Sequence, residues 1–233
     1  MIAFNDSIVL ETCVYSILRQ HFRGLACYTG LLEDLLEASR LTALGQAIDL
    51  NTAADYTRVR GAEGSLKPFT MERYSSIVKY KTSHYSFVLP VALALRLAGA
   101  GGEVERRAAA GLLLAIGHYF QATDDWLDCY GDPAVTGKVG TDIQDGKCSW
   151  LVAAALEAAS AGQRRTLERH YGSQEEADVA RVREVYEELG VREAFTRYEE
   201  EFHSSIMARI EGVEGLPPAL FTLFLGRVYK RTK

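Results

Sequence analysis

The chain has 233 residues, of which 48% are hydrophobic and 24% are charged, and its formal net charge is −5. This composition is that of an ordinary globular protein, and it excludes a disordered, collagen-like or low-complexity chain. The mild acidity provides no basic surface for nucleic acid, so any phosphate group must be bound by local residues.

Cysteine usage and the amino terminus bear on the cellular compartment. The four cysteines are widely spaced and form no CxxC pair, which is typical of reduced thiols in a cytosolic protein. Asp6 and Glu11 come too early for a targeting peptide. The longest apolar stretch, residues 87–98, is interrupted by Pro90 and Arg96 and is shorter than the ~20 residues of a membrane span. The sequence therefore predicts a cytoplasmic protein with no membrane span and no nucleic-acid partner.

Apolar residues recur every three or four positions along most of the chain, which predicts an all-α fold. The predicted helices cover residues 7–22, 28–50, 69–97, 103–128 and 149–161, followed by three or four amphipathic helices in 164–212 and after Pro217 and Pro218. The third helix should be kinked at Pro90, and residues 134–147 should form a polar loop. Because no internal repeat or linker is visible, residues 1–233 are predicted to form one helical domain.

The helix that ends near Asp128 carries the clearest chemical signal. Gln121, Asp124, Asp125 and Asp128 stand at positions i, i+3, i+4 and i+7, on one face of an otherwise apolar helix. Carboxylates on a buried helix repel one another, and those at its carboxyl end also meet the negative end of the helix dipole. Oxygen-only ligands favour Mg²⁺ or Mn²⁺, and Mg²⁺ completes its shell with water and substrate phosphates. The alternative is a solvated acidic turn.

Basic residues near these aspartates suit a diphosphate. Lys138 and Lys147 lie in the polar loop, while Lys81 and Tyr85 lie one turn apart on the kinked helix. The segment around Lys138 lacks the upstream glycine and the preceding strand of a P-loop. Alternatively, Lys81 is a surface lysine whose amine extends into water.

Two further polar groups lie on the second helix. Gln46 and Asp49, at i and i+3, are candidates for residues that point inward. Glu33, Asp34 and Glu37 are predicted to form a solvated acidic face.

Residues 120–128, FQATDDWLD, resemble the second aspartate-rich motif of the farnesyl diphosphate synthases, a family of trans-prenyltransferases. Residues 79–87 (KYKTSHYSF), 45–50 (GQAIDL), 131–150 and the basic terminus 228–233 resemble further segments of that family. The resemblance covers the whole chain. It implies an isoprenoid-synthase-type helical bundle around a central cavity, N-terminally shortened, because the family's first aspartate-rich motif precedes anything in this sequence.

The resemblance also implies roles for individual residues. The metal ligands would be Asp124, Asp125 and Asp128. The residues that hold the allylic diphosphate would be Lys81, Lys138 and Lys147. Those at the site of bond formation would be Lys81, Thr82 and Gln121. The remaining cavity residues would be Gln46, Asp49, Tyr85 and Phe120.

The activity implied by the resemblance is condensation of isopentenyl diphosphate with dimethylallyl or geranyl diphosphate, in a homodimer that uses Mg²⁺ or Mn²⁺. One alternative is a non-catalytic or weakened paralogue that binds diphosphate or dimerises with a full-length synthase. Another is a diphosphate lyase like the class I terpene synthases, although the sequence shows no NSE-type metal motif.

Overall fold

A computed structural model describes residues 2–232 of the chain. Within these residues every regular element is a helix, which confirms the predicted all-α fold. Met1 and Lys233 lie outside the described residues, and the organisation of 1–233 as one domain stays a prediction.

The chain is helical along most of its length. The elements before residue 131 are α1 Ile2–Phe22, α2 Tyr28–Val59, α3 Met71–Val78, a π-helix Lys79–Val88, α4 Leu89–Leu97 and α5 Glu103–Tyr130. Those after it are α6 Pro133–Thr136, α7 Trp150–Ala158, α8 Ala161–His170, α9 Glu176–Glu188, α10 Val191–Glu211 and α11 Ala219–Val228. The last four confirm the amphipathic helices predicted for this region. None of the helices described is both long and apolar enough to cross a membrane.

Helix α2 is longer than its predicted range, which ends at residue 50. Asp49, Thr52 and Tyr56 follow one another at helical spacing and are all buried, so the inward face of α2 continues for two further turns. The prediction ended too early because this part of the face includes polar residues, which a search for apolar periodicity passes over.

The helix predicted for residues 69–97 is a run of three helices. It begins at Met71, where the Thr70 hydroxyl caps α3 by accepting a hydrogen bond from the amide of Arg73 at 3.1 Å. The irregularity lies in the ten residues Lys79–Val88, which form a π-helix. Pro90 itself lies in the first turn of α4, a position that a proline tolerates.

The π-helix packs between α2 and α5, and a glycine on each side makes the close approach possible. A Cβ atom on Gly45 of α2 would overlap the backbone nitrogen of Lys81. A Cβ atom on Gly117 of α5 would lie 2.6 Å from the hydroxyl oxygen of Ser83. Tertiary packing of this kind explains why periodicity alone does not reveal the π-helix.

Helix α5 contributes to both hydrophobic clusters of the core. Leu113 and Ile116 join a cluster with residues of α4, α10 and α11, and Ala122 joins a second cluster around α7 and α9. From Ala109 onward the helix therefore has a buried apolar face, as its sequence predicts, while its first turns are largely exposed. The polar turns at its carboxyl end line a cavity.

An ion pair between α2 and α4 corrects the prediction of a solvated acidic face. Asp34 accepts hydrogen bonds from the guanidinium of Arg96, and only 22% of its side chain is exposed. Glu33 and Glu37 are exposed, as predicted. The sequence spacing could not show that Arg96, 62 residues away, supplies a partner.

We expect Gly45→Ala to lower the free energy of unfolding by about 1–3 kcal/mol, because the added methyl group would displace the π-helix backbone. Gly226→Ala is the matched control: it lies inside α11 with open space around it, so alanine should be neutral or raise stability by about 0.5–1 kcal/mol. Chemical denaturation of the two variants measures the difference. Equal effects would contradict the close packing of α2 on the π-helix.

Candidate active site

A cavity of about 550 Å³ lies between α2, α3, the π-helix, α5 and the loop before α7. The predicted site residues that line it are Gln46, Asp49, Lys81, Thr82, Tyr85, Phe120, Gln121, Asp124, Asp125 and Lys147. Asp128 and Lys138 lie beside the cavity and do not line it. The four segments that carry these residues are distant in sequence, and the fold brings them to one place.

Asp125 and Gln121 are fixed by hydrogen bonds on the floor of the cavity. One carboxylate oxygen of Asp125 accepts the backbone N–H of Trp150 at 2.8 Å, and the other accepts the amide N–H of Gln121 at 3.0 Å. The amide oxygen of Gln121 accepts a hydrogen bond from the hydroxyl of Thr82 at 2.9 Å. This chain of bonds orients the Gln121 amide and links α5 to the π-helix and α7.

Asp124 is the predicted metal ligand that is most open to the cavity, with 36% of its side chain exposed. Its two oxygens face cations: Lys138 Nζ lies 3.7 Å from Oδ2, and Arg231 Nη2 lies 3.3 Å from Oδ1. The Arg231 guanidinium also lies 4.1 Å from the centre of the Phe120 ring. Sequence reasoning did not place Arg231 at the site, and only the basic character of the carboxyl terminus hinted at it.

The predicted ligand Asp128 is engaged by the loop that follows α6. Its Oδ2 accepts the backbone N–H of Asp142 at 2.9 Å. Gly140 makes this approach possible, since a Cβ atom there would overlap the backbone carbonyl of Asp128. The loop thereby brings the carboxyl of Asp142 to the cavity, although Asp142 was not among the predicted ligands.

The carboxyl groups are crowded enough to perturb their ionisation. Burial raises the pKa of Asp125 well above its usual range, even though the hydrogen bonds from Gln121 and Trp150 favour the charged form. Burial, together with the charges of Asp125, Asp128 and Asp124, raises the pKa of Asp142. Across residues 2–232, no group of three or more acidic, histidine or cysteine side chains is arranged so that these side chains alone could hold a metal ion. Crowded oxygen donors of this kind nevertheless fit a divalent cation, which would relieve their repulsion.

Positive charge faces the aspartates from the other side of the cavity. Lys81 Nζ lies 2.6 Å and Lys147 Nζ lies 3.1 Å from the same oxygen of Asp49. Both lysine side chains keep part of their surface open, at 34% and 27%, whereas that of Asp49 is 6% exposed. The cavity thus has an anionic wall on α5 and a cationic wall on the π-helix and the loop.

A larger groove, of about 840 Å³, lies between α9 and the loop around Gly140. Its lining includes four glutamates, Glu176, Glu184, Glu187 and Glu188, and a single cation, Arg183. Such a surface repels an anionic ligand, so the smaller cavity is the better candidate for a diphosphate site.

Comparison with known proteins identifies the family of the chain. The polyprenyl synthetase family profile matches residues 1–189. The chain belongs to the polyprenyl synthetase family, the class that the helical fold and the aspartate-lined cavity define.

Within this family, the chain is similar to farnesyl pyrophosphate synthases. The chain is 44% identical to the farnesyl pyrophosphate synthase of Schizosaccharomyces pombe over 235 residues, covering 100% of this chain and 66% of that protein. It is 47% identical to the Homo sapiens farnesyl pyrophosphate synthase over 232 residues, covering 99% of this chain and 54% of that protein. The chain therefore spans less than two thirds of the length of either relative.

A solved structure shows the same architecture. The chain superposes on the T. brucei farnesyl diphosphate synthase complexed with risedronate with a TM-score of 0.88 at 31% identity. The superposition covers 100% of this chain and 67% of that one. The isoprenoid-synthase fold predicted from the resemblance is thereby confirmed.

His118 lies one turn before Gln121 on α5 and supports this face from behind. Its Nε2 lies 3.1 Å from the hydroxyl of Ser75, and its Nδ1 lies 2.9 Å from the hydroxyl of Tyr198. Burial lowers the pKa of the imidazole, so the folded protein holds it neutral.

We expect His118 to lower the free energy of unfolding as the pH falls below about 6.5, because the unfolded chain then takes up a proton that folded His118 resists, whereas the raised pKa values of Asp125 and Asp142 act in the opposite direction. In His118→Gln the slope should be smaller, and His84, whose pKa burial also lowers, should account for part of what remains. Denaturation at a series of pH values measures the slope. An unaltered slope in His118→Gln would contradict the assignment.

Proposed function

We propose that this chain carries the catalytic cavity of a prenyltransferase that condenses isopentenyl diphosphate with dimethylallyl or geranyl diphosphate to give farnesyl diphosphate. The observation that carries the proposal is the pairing of an aspartate wall with a lysine wall across one cavity, in a member of the polyprenyl synthetase family. The similarity to farnesyl pyrophosphate synthases of fission yeast and human supports the choice of product.

The aspartate wall suits Mg²⁺ or Mn²⁺, with Asp124 and Asp125 lining the cavity and Asp128 beside it. When bound, the cation would neutralise the charge that develops on the diphosphate as it leaves the allylic carbon. We propose that Lys81 and Lys147 hold the phosphate oxygens from the opposite wall.

The remaining predicted residues have roles in orientation and in excluding water. Lys138 lies beside Asp124 on the exposed side and would contact the diphosphate from there. Thr82 and Gln121, joined by a hydrogen bond, place oxygen atoms near the reacting allylic carbon and favour the positive charge that forms on it. Gln46, Tyr85 and Phe120 line the space for the hydrocarbon chain.

The reaction makes one carbon–carbon bond for each diphosphate released. The allylic carbon–oxygen bond breaks and its electron pair leaves with the diphosphate. The alkene of isopentenyl diphosphate attacks the allylic carbon, which leaves a positive charge on the isopentenyl unit. A proton is then lost from a carbon next to that charge, and a new double bond forms. The products are a longer allylic diphosphate, inorganic diphosphate and a proton, so the lysines act by holding the leaving group.

One observation favours a second candidate, a weakened or non-catalytic member that binds diphosphate. Asp124 already has Lys138 and Arg231 as ionic partners, so a metal ion would have to compete with these two cations. A product assay distinguishes the two candidates, and release of diphosphate without isopentenyl diphosphate would instead indicate a lyase.

We also propose that the protein is a cytoplasmic homodimer. All four cysteines are free thiols, which supports a reducing compartment. Helix α1 has one buried residue, Leu18. Its exposed large apolar side chains are Ile2, Phe4, Ile8, Val9, Leu10, Val14 and Ile17. Single exposed apolar side chains are normal on a protein surface, but seven on one helix form an apolar surface. A second copy of the chain would cover it.

We expect Asp124→Ala to abolish the Mg²⁺ dependence of diphosphate binding, because the cavity-facing carboxylate is lost. Calorimetry with inorganic diphosphate or geranyl diphosphate, with and without Mg²⁺, measures the effect, and a product assay measures turnover. Asp145→Ala is the control, since that carboxylate is exposed and accepts a hydrogen bond from Thr141 in the loop. Metal-independent binding by the unmodified chain would contradict the metal assignment.

We expect Val14→Asp to shift the protein from dimer to monomer, because it places a charge in the apolar face of α1. Sedimentation velocity over a range of concentrations measures the change. Val104→Asp, at an exposed valine on α5, is the matched control. A monomer at every concentration of the unmodified chain would refute the dimer.

A further inference from the structure

Asp49 occupies an unusual position among the cavity residues, because a single oxygen atom of its carboxylate is shared by two lysines. Oδ2 accepts hydrogen bonds from Lys81 Nζ at 2.6 Å and from Lys147 Nζ at 3.1 Å. The residue is only 4% exposed, so water cannot take the place of these partners. The two ammonium groups are consequently held side by side.

The three residues come from three separate elements. Asp49 lies on α2, Lys81 on the π-helix and Lys147 in the loop before α7. In the described part of the chain, neither lysine has an ion pair other than the one with Asp49. Their shared acceptor is thus the one ionic contact that fixes where both amines stand.

Helix α2 also fixes the backbone of Lys81. Gly45 lies one turn before Asp49 on the same face, and it allows the backbone nitrogen of Lys81 to approach α2 closely. One face of α2 therefore sets both ends of the lysine, its main chain through Gly45 and its amine through Asp49.

The two lysines need a negative charge between them. Two ammonium groups this close together repel each other, and burial strengthens the repulsion. The carboxylate between them opposes it and holds the two amines together before any ligand arrives. The sides of the lysines that face away from Asp49 stay open to the cavity, where an anion with several oxygens can contact both.

We propose that Asp49 is a positioning residue that preassembles Lys81 and Lys147 as a paired cation for a diphosphate, and that it is not a metal ligand. This inference rests on the proposed function of the cavity. Lys138 stands outside the arrangement, because its ionic partner is Asp124 and 53% of its side chain is exposed.

The first experiment needs no ligand. Trace acetylation followed by peptide mass spectrometry measures how readily each lysine amine meets the reagent. In Asp49→Asn, labelling of Lys81 and Lys147 should become about fivefold faster, because both amines lose the carboxylate that holds them. Lys138 is an internal control and should not change. Unchanged rates at both lysines overturn the proposal.

Two further variants keep this test decisive. Asp55→Asn makes the same chemical change at an exposed site on α2 and should leave all three rates as they are. In Lys147→Met, Lys81 should be labelled about twofold more slowly, because it then has the Asp49 oxygen to itself and no neighbouring ammonium. This result does not depend on whether Asp49→Asn folds, and an equal or faster rate contradicts the shared acceptor.

The second experiment connects the pair to its ligand. In the presence of Mg²⁺, calorimetric titration with inorganic diphosphate should give about tenfold weaker binding in Asp49→Asn than in the unmodified chain or Asp55→Asn. Equal or tighter binding overturns the proposal, since Asp49 would then merely repel the anion. If the unmodified chain binds no diphosphate, the proposed function fails, while the labelling rates still decide whether Asp49 holds the lysines.

Discussion

The whole site depends on the burial of carboxylates on α5. The helix is enclosed by two hydrophobic clusters, and its polar turns lie at the end where the helix dipole is already negative. Such a helix is stable only if other segments bring hydrogen-bond donors to it. The backbone amides of Asp142 and Trp150 do so, from the loop between α6 and α7 and from the first residue of α7, which must both lie close to α5. Glycine at position 140 is a consequence of that requirement.

The lysines of the cavity likewise need a partner of opposite charge, which is Asp49. Ion pairs buried in a protein add little net stability, because both groups lose their water, but losing one partner is expensive. The hydrophobic clusters, and not Asp49 with its lysines, therefore hold the helices together. The ionic groups specify instead which side of each helix faces the cavity. The result is a site whose geometry is set before any ligand enters.

The sequence predicted the features that arise within one helix. The spacing of Gln121, Asp124, Asp125 and Asp128 placed these residues on one face, and apolar periodicity identified most of the helices. Features that depend on contacts between distant segments were not predictable. Arg231 meets Asp124 across 107 residues, and Asp34 finds its partner in Arg96. The π-helix likewise depends on how α2 and α5 enclose it, which no local pattern records.

The π-helix gives the segment a fixed length as well as a fixed shape. Hydrogen bonds that span five residues place more residues in each turn than an α-helix does. Removing a single residue from Lys79–Val88 would rotate everything that follows about the helix axis, by somewhat less than the roughly 100° per residue of an α-helix. Phe87 would then leave the hydrophobic cluster around α5, or Lys81 would leave the cavity. An insertion or deletion within this segment would therefore separate the chemistry of the cavity from the packing of the core.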